Sequence, residues 1–396
     1  MNSNPLLSTE VQFFINKNID SVISKLALQK NPFPDLDWIS VLNQIEAKKK
    51  SKQKLPTWFA TKNIIYPSKI SIEQTSSEIA AAYKSRIVSG KNLIDLSGGF
   101  GVDDYYFAKK VDNLIHCEIN SELSNIVKHN FEKLKIKNIV CYSGDSVEIL
   151  AKLNTNFDWI YIDPSRRNDA KGKVFMLKDC LPNVPENLNL FFKYSKSILI
   201  KTAPLLDISS GLSELKQVKK IHIVAVDNEV KELLWELHQN YSGKITVQTI
   251  SISKENEQVF NFEREANTEI VNYSLPQKYL YEPNSAIMKS GGFDEVGIAY
   301  NLNKLHKHSH LYTNSNPILF PGRVFEIEQS FVYHKEEMKQ FLENKKANIS
   351  TRNFPETVEN IRKKWKIREG GNQYCFFTTD INNNKIVLIC KKIKLE

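Results

Sequence analysis

The sequence predicts an α/β protein whose main body is a seven-stranded doubly wound sheet, with a helical region before it and small α+β units after it. Three observations predict this class. Between residues 91 and 254, short β-branched runs alternate with longer helical ones, the pattern of strands joined by crossover helices. The first five runs are largely apolar rather than alternating, as strands covered on both faces of a parallel sheet should be. A glycine-rich turn and several carboxylates then fall at the ends of these runs, where open α/β sheets hold ligands.

Taken in order, residues 1–60 read as helical, with apolar residues near helical spacing at 11–15 and 22–28 and a break at Asn31-Pro32-Phe33-Pro34-Asp35. The basic stretch 48–54 reads as a solvated helix end or linker. Seven strands follow at 92–95, 114–118, 138–142, 157–163, 197–201, 221–226 and 245–250, giving a domain over 61–254. Beyond a polar break at 253–257 the pattern becomes mixed, and the chain divides into units at 255–330 and 331–396. The last has a helix around 354–365 and strands at 374–378 and 385–391, joined by a hairpin turn at Asn382-Asn383-Asn384.

The composition of these 396 residues is that of a globular protein, with 41% hydrophobic and 25% charged residues and a mean hydropathy of −0.38. Disorder of the whole chain is excluded. The longest apolar runs fall far short of the ~18 residues that a membrane span needs, and Met1-Asn2-Ser3-Asn4-Pro5 lacks a basic start followed by an apolar stretch. A cytoplasmic protein is expected. Five cysteines without C-x-x-C spacing argue against a disulfide framework and a zinc site, so no metal is expected. The net charge of +9 sits at the two ends, +3 in residues 1–60 and +6 in residues 331–396, on an otherwise neutral body. A basic appendage on a neutral body suits a polyanionic partner.

The first strand runs into Asp95-Leu96-Ser97-Gly98-Gly99-Phe100-Gly101-Val102-Asp103, with a helix behind it. Glycines let the backbone turn sharply and approach a ligand, and the helix start offers free N–H groups. Asp95, Glu118 and Asp145 end three adjacent strands, so the three carboxylates share one edge of the sheet. The spacing departs from the dinucleotide fingerprint, because Asp104 stands where the third glycine would be. An acidic residue there would repel a pyrophosphate but suits a cationic cofactor.

Asp95-x-Ser97-x-Gly99-x-Gly101, Glu118, Asp145 and Asp163-Pro164 resemble the successive motifs of class I S-adenosylmethionine (SAM)-dependent methyltransferases, in order and spacing. The resemblance implies a Rossmann-like methyltransferase sheet and SAM as the cofactor. Gly99 and Gly101 would pass under its methionine part, Glu118 would take the ribose hydroxyls and Asp145 the adenine amino group. A segment at 65–80 would close over it. The loop Asp163-Pro164-Ser165-Arg166-Arg167 resembles the Asp/Asn-Pro-Pro-aromatic loop of amino-directed nucleic-acid methyltransferases, in which a carboxylate and a carbonyl orient the target nitrogen. Ser165 replaces the second proline and Arg166 the aromatic residue; arginine can stack on a base or bind phosphate, so Arg166 and Arg167 still suit a nucleic acid. Cys180 is the nearby thiol that a carbon-methylating mechanism would need, and Lys201, ending the fifth strand, is a candidate substrate contact.

At the carboxyl end, Val358, Ile361 and Trp365 supply a buried stripe that leaves Arg362, Lys363, Lys366 and Arg368 as an outward basic ridge suited to phosphate. Arg352, in Arg352-Asn353-Phe354-Pro355, joins the candidate substrate contacts, while His306, His308 and His310 read as solvated loop residues. The whole arrangement resembles a bacterial methyltransferase family in which the class I domain is followed by a ferredoxin-like unit and a THUMP-like domain. That resemblance implies an RNA substrate, tRNA first, methylated on a base nitrogen (EC 2.1.1.-). DNA or small-molecule methylation, or an RNA-binding protein that has lost catalysis, are the alternatives.

Overall fold

The structure, a computed structural model, describes residues 4–67, 69–166, 176–265 and 270–395, without the side chains of residues 69–71 and 166. The chain divides into two units, residues 1–220 with 231–243, and residues 221–230 with 244–396.

The first unit opens with α1 (Thr9–Lys17), α2 (Ile23–Ala27), α3 (Trp38–Lys54), α4 (Pro56–Ala60), α5 (Lys69–Gln74) and α6 (Glu78–Lys84). Local chemistry marks where they begin. Ser8 caps α1, Asp37 caps α3 through the Ile39 and Ser40 N–H groups, Pro56 opens α4 and Ser77 caps α6. Val11, Ile15, Leu26, Val41, Leu42 and Ile45 bury their side chains together and hold α1, α2 and α3 on one small core.

The α/β part follows as β1 (Asn92–Asp95), α7 (Val102–Phe107), β2 (Asn113–Glu118), α8 (Ser121–Lys133), β3 (Ile139–Ser143), α9 (Ser146–Leu153), β4 (Trp159–Ile162), β5 (Ser165–Arg166), β6 (Cys180–Leu181), α10 (Val184–Tyr194), β7 (Ser197–Thr202), α11 (Ile208–Glu214), β8 (Val218–Val226), β9 (Glu229–His238), β10 (Thr246–Ile252) and β11 (Glu257–Glu263). β1 pairs in parallel with β2 on one side and β4 on the other, β3 extends β2, and β7 extends β4. β9 then runs antiparallel along β7. Strand order reverses at β1, so the crevice beyond its carboxyl end is where such a sheet accepts a ligand.

The expected seven strands are corrected to nine, in the order β11-β10-β8-β9-β7-β4-β1-β2-β3. The two additional strands are β9 and β11. β9 begins Glu229-Val230-Lys231-Glu232, too charged to read as a strand, although Asp227 and Asn228, both at positive φ, form the two-residue turn that announces it. β11 pairs antiparallel with β10 and alternates, with Phe260 inward and Val259 outward. β3 is also not covered on both faces, because it is the edge strand and leaves Val140 and Tyr142 exposed.

The second unit, to which β10, β11 and most of β8 belong, continues with β12 (Tyr279–Pro283), α12 (Ser285–Ser290), α13 (Phe293–Ala299), β13 (Asn303–Lys304), β14 (Tyr312–Asn314), β15 (Gly322–Val332), α14 (Lys335–Phe341), β16 (Asn348–Thr351), α15 (Val358–Trp365), β17 (Gln373–Thr379) and β18 (Lys385–Ile393). Strands β12 to β18 form a sheet of their own, in the order β13-β14-β12-β15-β18-β17-β16. The 330/331 division read from the sequence falls inside β15. Ile361 and Trp365 of α15 pack with Met338, Phe377, Val387 and Ile389, and Asp380 accepts from the Asn382 and Asn384 N–H groups to set the β17–β18 turn.

Candidate active site

A cleft of about 1160 Å³ lies over the carboxyl ends of β1, β2, β3, β4 and β7 in the first unit. The β1 loop forms its floor. Ser97 donates from both its backbone N–H and its hydroxyl to Asp95 Oδ1, at 2.7 and 2.8 Å, and its Oγ accepts from the Asp163 N–H at 2.6 Å. One serine therefore ties the glycine loop to the loop after β4. Gly99 has a φ of +53°, and a Cβ there would meet only the Ser97 carbonyl at 3.6 Å, so its bare face leaves room for a ligand. Its N–H donates to Glu118 Oε2 at 2.9 Å, while Glu118 Oε1 accepts from the Asn120 N–H at 2.8 Å. Asp145 Oδ1 caps α9 by accepting from the Val147 and Glu148 N–H groups, so half of this expected adenine contact is already engaged. Ile119 and Leu123 line the same end and supply apolar surface for a planar ring.

Two expectations change their meaning. Gly101 is the amino-terminal cap of α7 at φ +73° and does not line the cleft; a Cβ there would sit 2.5 Å from Phe131 Cζ and 2.9 Å from Val127 Cγ1, so this glycine packs α7 against α8. Asp104 does not face the loop either. It is fully buried with its Oδ2 2.6 Å from His116 Nδ1, and the His116 ring lies where a Cβ of Gly98 would be. Burial pushes the Asp95 and Asp104 carboxyls well above the carboxylate range, with Asp104 further raising Asp95, and it pushes the His116 imidazole down. Asp104 and His116 thus form a buried pair beneath the loop, outside the cleft lining.

Behind the cleft stands a second network that sequence reasoning missed. Lys84, whose side chain is 0% exposed, reaches Asp103 Oδ1 at 3.0 Å, Glu232 Oε2 at 2.8 Å and Ser76 Oγ at 2.8 Å. Asp103 Oδ2 also accepts from the Tyr161 hydroxyl at 2.8 Å and from Ser76 at 3.0 Å. Burial works against the Asp103 charge, but Lys84 and Lys201 outweigh it and lower its pKa. No local signal announces a pair 148 residues apart in sequence; an unmatched lysine on the apolar face of α6 was the one available hint.

At the β4–β7 end, Asp163, Pro164 and Lys201 all line the cleft, and Lys201 Nζ donates to Asp163 Oδ2. Burial works against the Lys201 cation, yet Asp163, Glu232 and Asp103 together raise its pKa, so it stays charged. Arg166 contributes its backbone to the β5–β6 pair opposite Cys180, its side chain lying outside the described residues, as does all of Arg167. Cys180 is fully buried, and the cleft wall is formed instead by Leu181 and Pro182. The segment expected to cover the cofactor lines the cleft at Gln74, Thr75 and Ser76.

That segment is held by Lys54, which donates to the Ile72 and Glu73 carbonyls at 3.1 and 2.6 Å. Burial, and then repulsion from Lys201, Lys231 and Lys50, lower its pKa to about 8. Below pH 8 the fold carries this cation at a cost. Between pH 8 and the ordinary 10.5 the folded chain holds it neutral while the unfolded chain still binds the proton, so its contribution to stability rises with pH. The melting temperature of the wild type relative to Lys54→Met is therefore expected to improve from pH 7.5 to pH 10; a difference independent of pH would contradict this assignment.

In the second unit the substrate contacts expected from the sequence are only partly available. Arg362 does not stand outward: it donates to the Ala347 and Ile367 carbonyls at 3.2 and 3.4 Å and ties the segment after α15 to the residue before β16. Lys363, Lys366 and Arg368 are exposed. Arg352 Nη2 donates to Glu282 Oε1 at 3.1 Å, and Arg323 Nε donates to Glu282 Oε2 at 2.6 Å, so two half-exposed guanidiniums share a carboxylate that is 3% exposed. His310 stacks on Phe293 with ring centroids 3.6 Å apart, and burial lowers its pKa to about 4, whereas His308 is exposed. Among the described residues no group of three or more His, Cys, Asp or Glu side chains could hold a metal ion, and no helix is long and apolar enough to cross a membrane.

Comparison with known proteins bears on the fold and the family. A family described as a ferredoxin-like domain matches residues 279–321, and one described as THUMP domain-like matches residues 322–392. The crystal structure described as "putative methyltransferase from Porphyromonas gingivalis W83" superposes with a TM-score of 0.89 at 30% identity, covering 100% of this chain and 100% of that one. The chain belongs to that bacterial family of class I methyltransferases with a ferredoxin-like unit and a THUMP-like domain. Similarity to other structures is partial. M. capricolum TrmK, solved with S-adenosyl-homocysteine, matches at a TM-score of 0.32 and 16% identity over 41% of this methyltransferase and 68% of TrmK. Trm5b from Pyrococcus abyssi matches at 0.30 and 16% over 41% and 49%. No curated protein matches the sequence.

Proposed function

We propose that this methyltransferase uses SAM to methylate a base nitrogen in RNA, with tRNA as the first substrate to test. The observation that carries the reading is the single cleft in which Ser97 joins the glycine loop to the Asp163-Pro164 turn, with Glu118 at the opposite end. SAM, when bound, supplies an electrophilic methyl group on a sulfonium. The residues present fit it: Gly99 offers a face without a Cβ, Glu118 has acceptor oxygens at the end of β2, and Ile119 and Leu123 give an apolar wall.

The chain's own work is positioning. Glu118 accepts from ribose hydroxyls while keeping its bonds to the Gly99 and Asn120 N–H groups. Asp163 and the Pro164 carbonyl orient the target nitrogen and hold it in line, a gain of orientation rather than of new chemistry. Lys363, Lys366 and Arg368 supply exposed cations for a phosphate backbone, which makes binding fall steeply with salt. Arg166, Arg167 and Arg352 remain candidate contacts for the same substrate.

Titration calorimetry tests the cofactor assignment. Wild type is expected to bind SAM saturably and Glu118→Ala at least about tenfold more weakly, the equivalent of about 1.4 kcal/mol; no saturable binding by wild type would overturn it. Transfer of labelled methyl groups to RNA from a strain lacking the gene, compared with DNA, tests the substrate.

A further inference from the structure

Asp163 and Lys201 are more than two separate contacts. They form a donor–acceptor couple at the end of the cleft where the methyl acceptor would sit. Asp163 spends Oδ2 on Lys201 and keeps Oδ1 without a partner among the described residues, with 36% of its side chain exposed. Lys201 is 12% exposed, lines the cleft, and has Asp163 as its one hydrogen-bond partner among the described residues. Two of its three N–H donors are thus uncommitted. Among the described residues an unused carboxylate oxygen and an unused ammonium donor thus stand side by side in the cleft, whose lining also includes Leu181, Pro182 and Pro204.

Resting on the RNA-methylation reading above, we propose that the acceptor is the ring nitrogen of a lactam base, the N1–H of guanine or the N3–H of uracil, with Lys201 bound to the neighbouring carbonyl oxygen and Asp163 to the N–H. A flipped base is read by hydrogen bonds along its Watson–Crick edge, and only a lactam presents an oxygen acceptor directly beside a ring N–H. The charges agree. In the step, the ring nitrogen gives its proton to Asp163 and its electron pair to the methyl carbon, and the electrons of the carbon–sulfur bond leave with sulfur. Negative charge passes from the carboxylate to the base oxygen as the proton leaves and is cancelled when the nitrogen takes the methyl group, so Lys201 faces an anionic partner up to the transfer. An exocyclic amine develops positive charge on nitrogen instead. A cation fixed beside it by Asp163, Asp103 and Glu232 would oppose that reaction.

The test uses the full-length protein with SAM and RNA from a strain lacking the gene, followed by nucleoside mass spectrometry. Methyl groups on guanine N1 or uracil N3 are expected. Methyl groups on exocyclic nitrogens, on carbon or on ribose would overturn this inference and leave the methyltransferase reading standing; no transfer to RNA would overturn the reading beneath it. Lys201→Met is expected to lower the turnover rate about 10²–10³-fold, as loss of one donor to a developing oxyanion does, with SAM affinity by calorimetry unchanged. Alkaline pH should recover much of that loss by ionising the lactam, and Lys201→Arg should retain more activity than Lys201→Met. A loss that is flat with pH would assign Lys201 a purely structural role and overturn the proposal.

Discussion

Replacing Lys84 by methionine lowers the melting temperature by on the order of 10 °C. The ammonium of Lys84 is fully buried and is the ion-pair partner of both Asp103 and Glu232, whose side chains are themselves nearly sealed from water. Removing one member of such a cluster leaves carboxylates in a medium that solvates them poorly, which costs about 3–5 kcal/mol, and each kcal/mol lowers the melting temperature of a domain this size by about 2–4 °C. Glu232→Gln is expected to do much less, because Lys84 keeps Asp103 and the amide can still accept its hydrogen bond. Thermal melts followed by circular dichroism separate the two; a Lys84→Met protein melting within about 2 °C of wild type would show the network to be unimportant.

The second large effect belongs to Gly101. Its φ of +73° strains any residue with a Cβ, by about 1–2 kcal/mol, and the added methyl would collide with Phe131 and Val127 on α8. Gly101→Ala is expected to lose about 2–4 kcal/mol of stability and, because α7 and the β1 loop must shift together, to weaken SAM binding at least about tenfold. Gly291→Ala is the matched control. Gly291 has a φ of +74° with nothing within 4 Å of an added Cβ, and it lies outside the cleft, so it carries the strain without the crowding or the effect on SAM. Equal behaviour of the two variants in calorimetry would refute the role given to Gly101.

What was legible in the sequence follows from how far apart the interacting residues lie. β1, β2, β4 and β7 announce themselves as apolar runs because both of their faces are covered, and the charged residues at their ends, Asp95, Glu118, Asp163 and Lys201, stand out against those runs. β9 hides because three of its first four residues are charged, and its Leu233, Leu234 and Trp235 core follows only later. Within the site, Asp163, Glu118 and Ser97 could be named from local motifs. The pairing of Lys201 with Asp163, and of Lys84 with Glu232, could not, since each joins side chains on different strands and helices through the fold. Arg362 misleads for a related reason: helical spacing places it outward, but α15 ends one turn later, and the Ile367 carbonyl beyond the helix and the Ala347 carbonyl before β16 draw the guanidinium back.

The position of β15 bears on how the carboxyl-terminal unit could have been inherited. The ferredoxin-like match ends at residue 321 and the THUMP-like match begins at 322, yet β15 starts at Gly322 and pairs with β12 on one side and β18 on the other. Cutting at that seam would leave β12 with one bare edge and expose the apolar residues that Val324 and Phe325 now cover. As heritable modules the two segments are therefore indivisible: a gene fusion that captured one without the other would deliver half a sheet, and lineages should gain or lose the pair together.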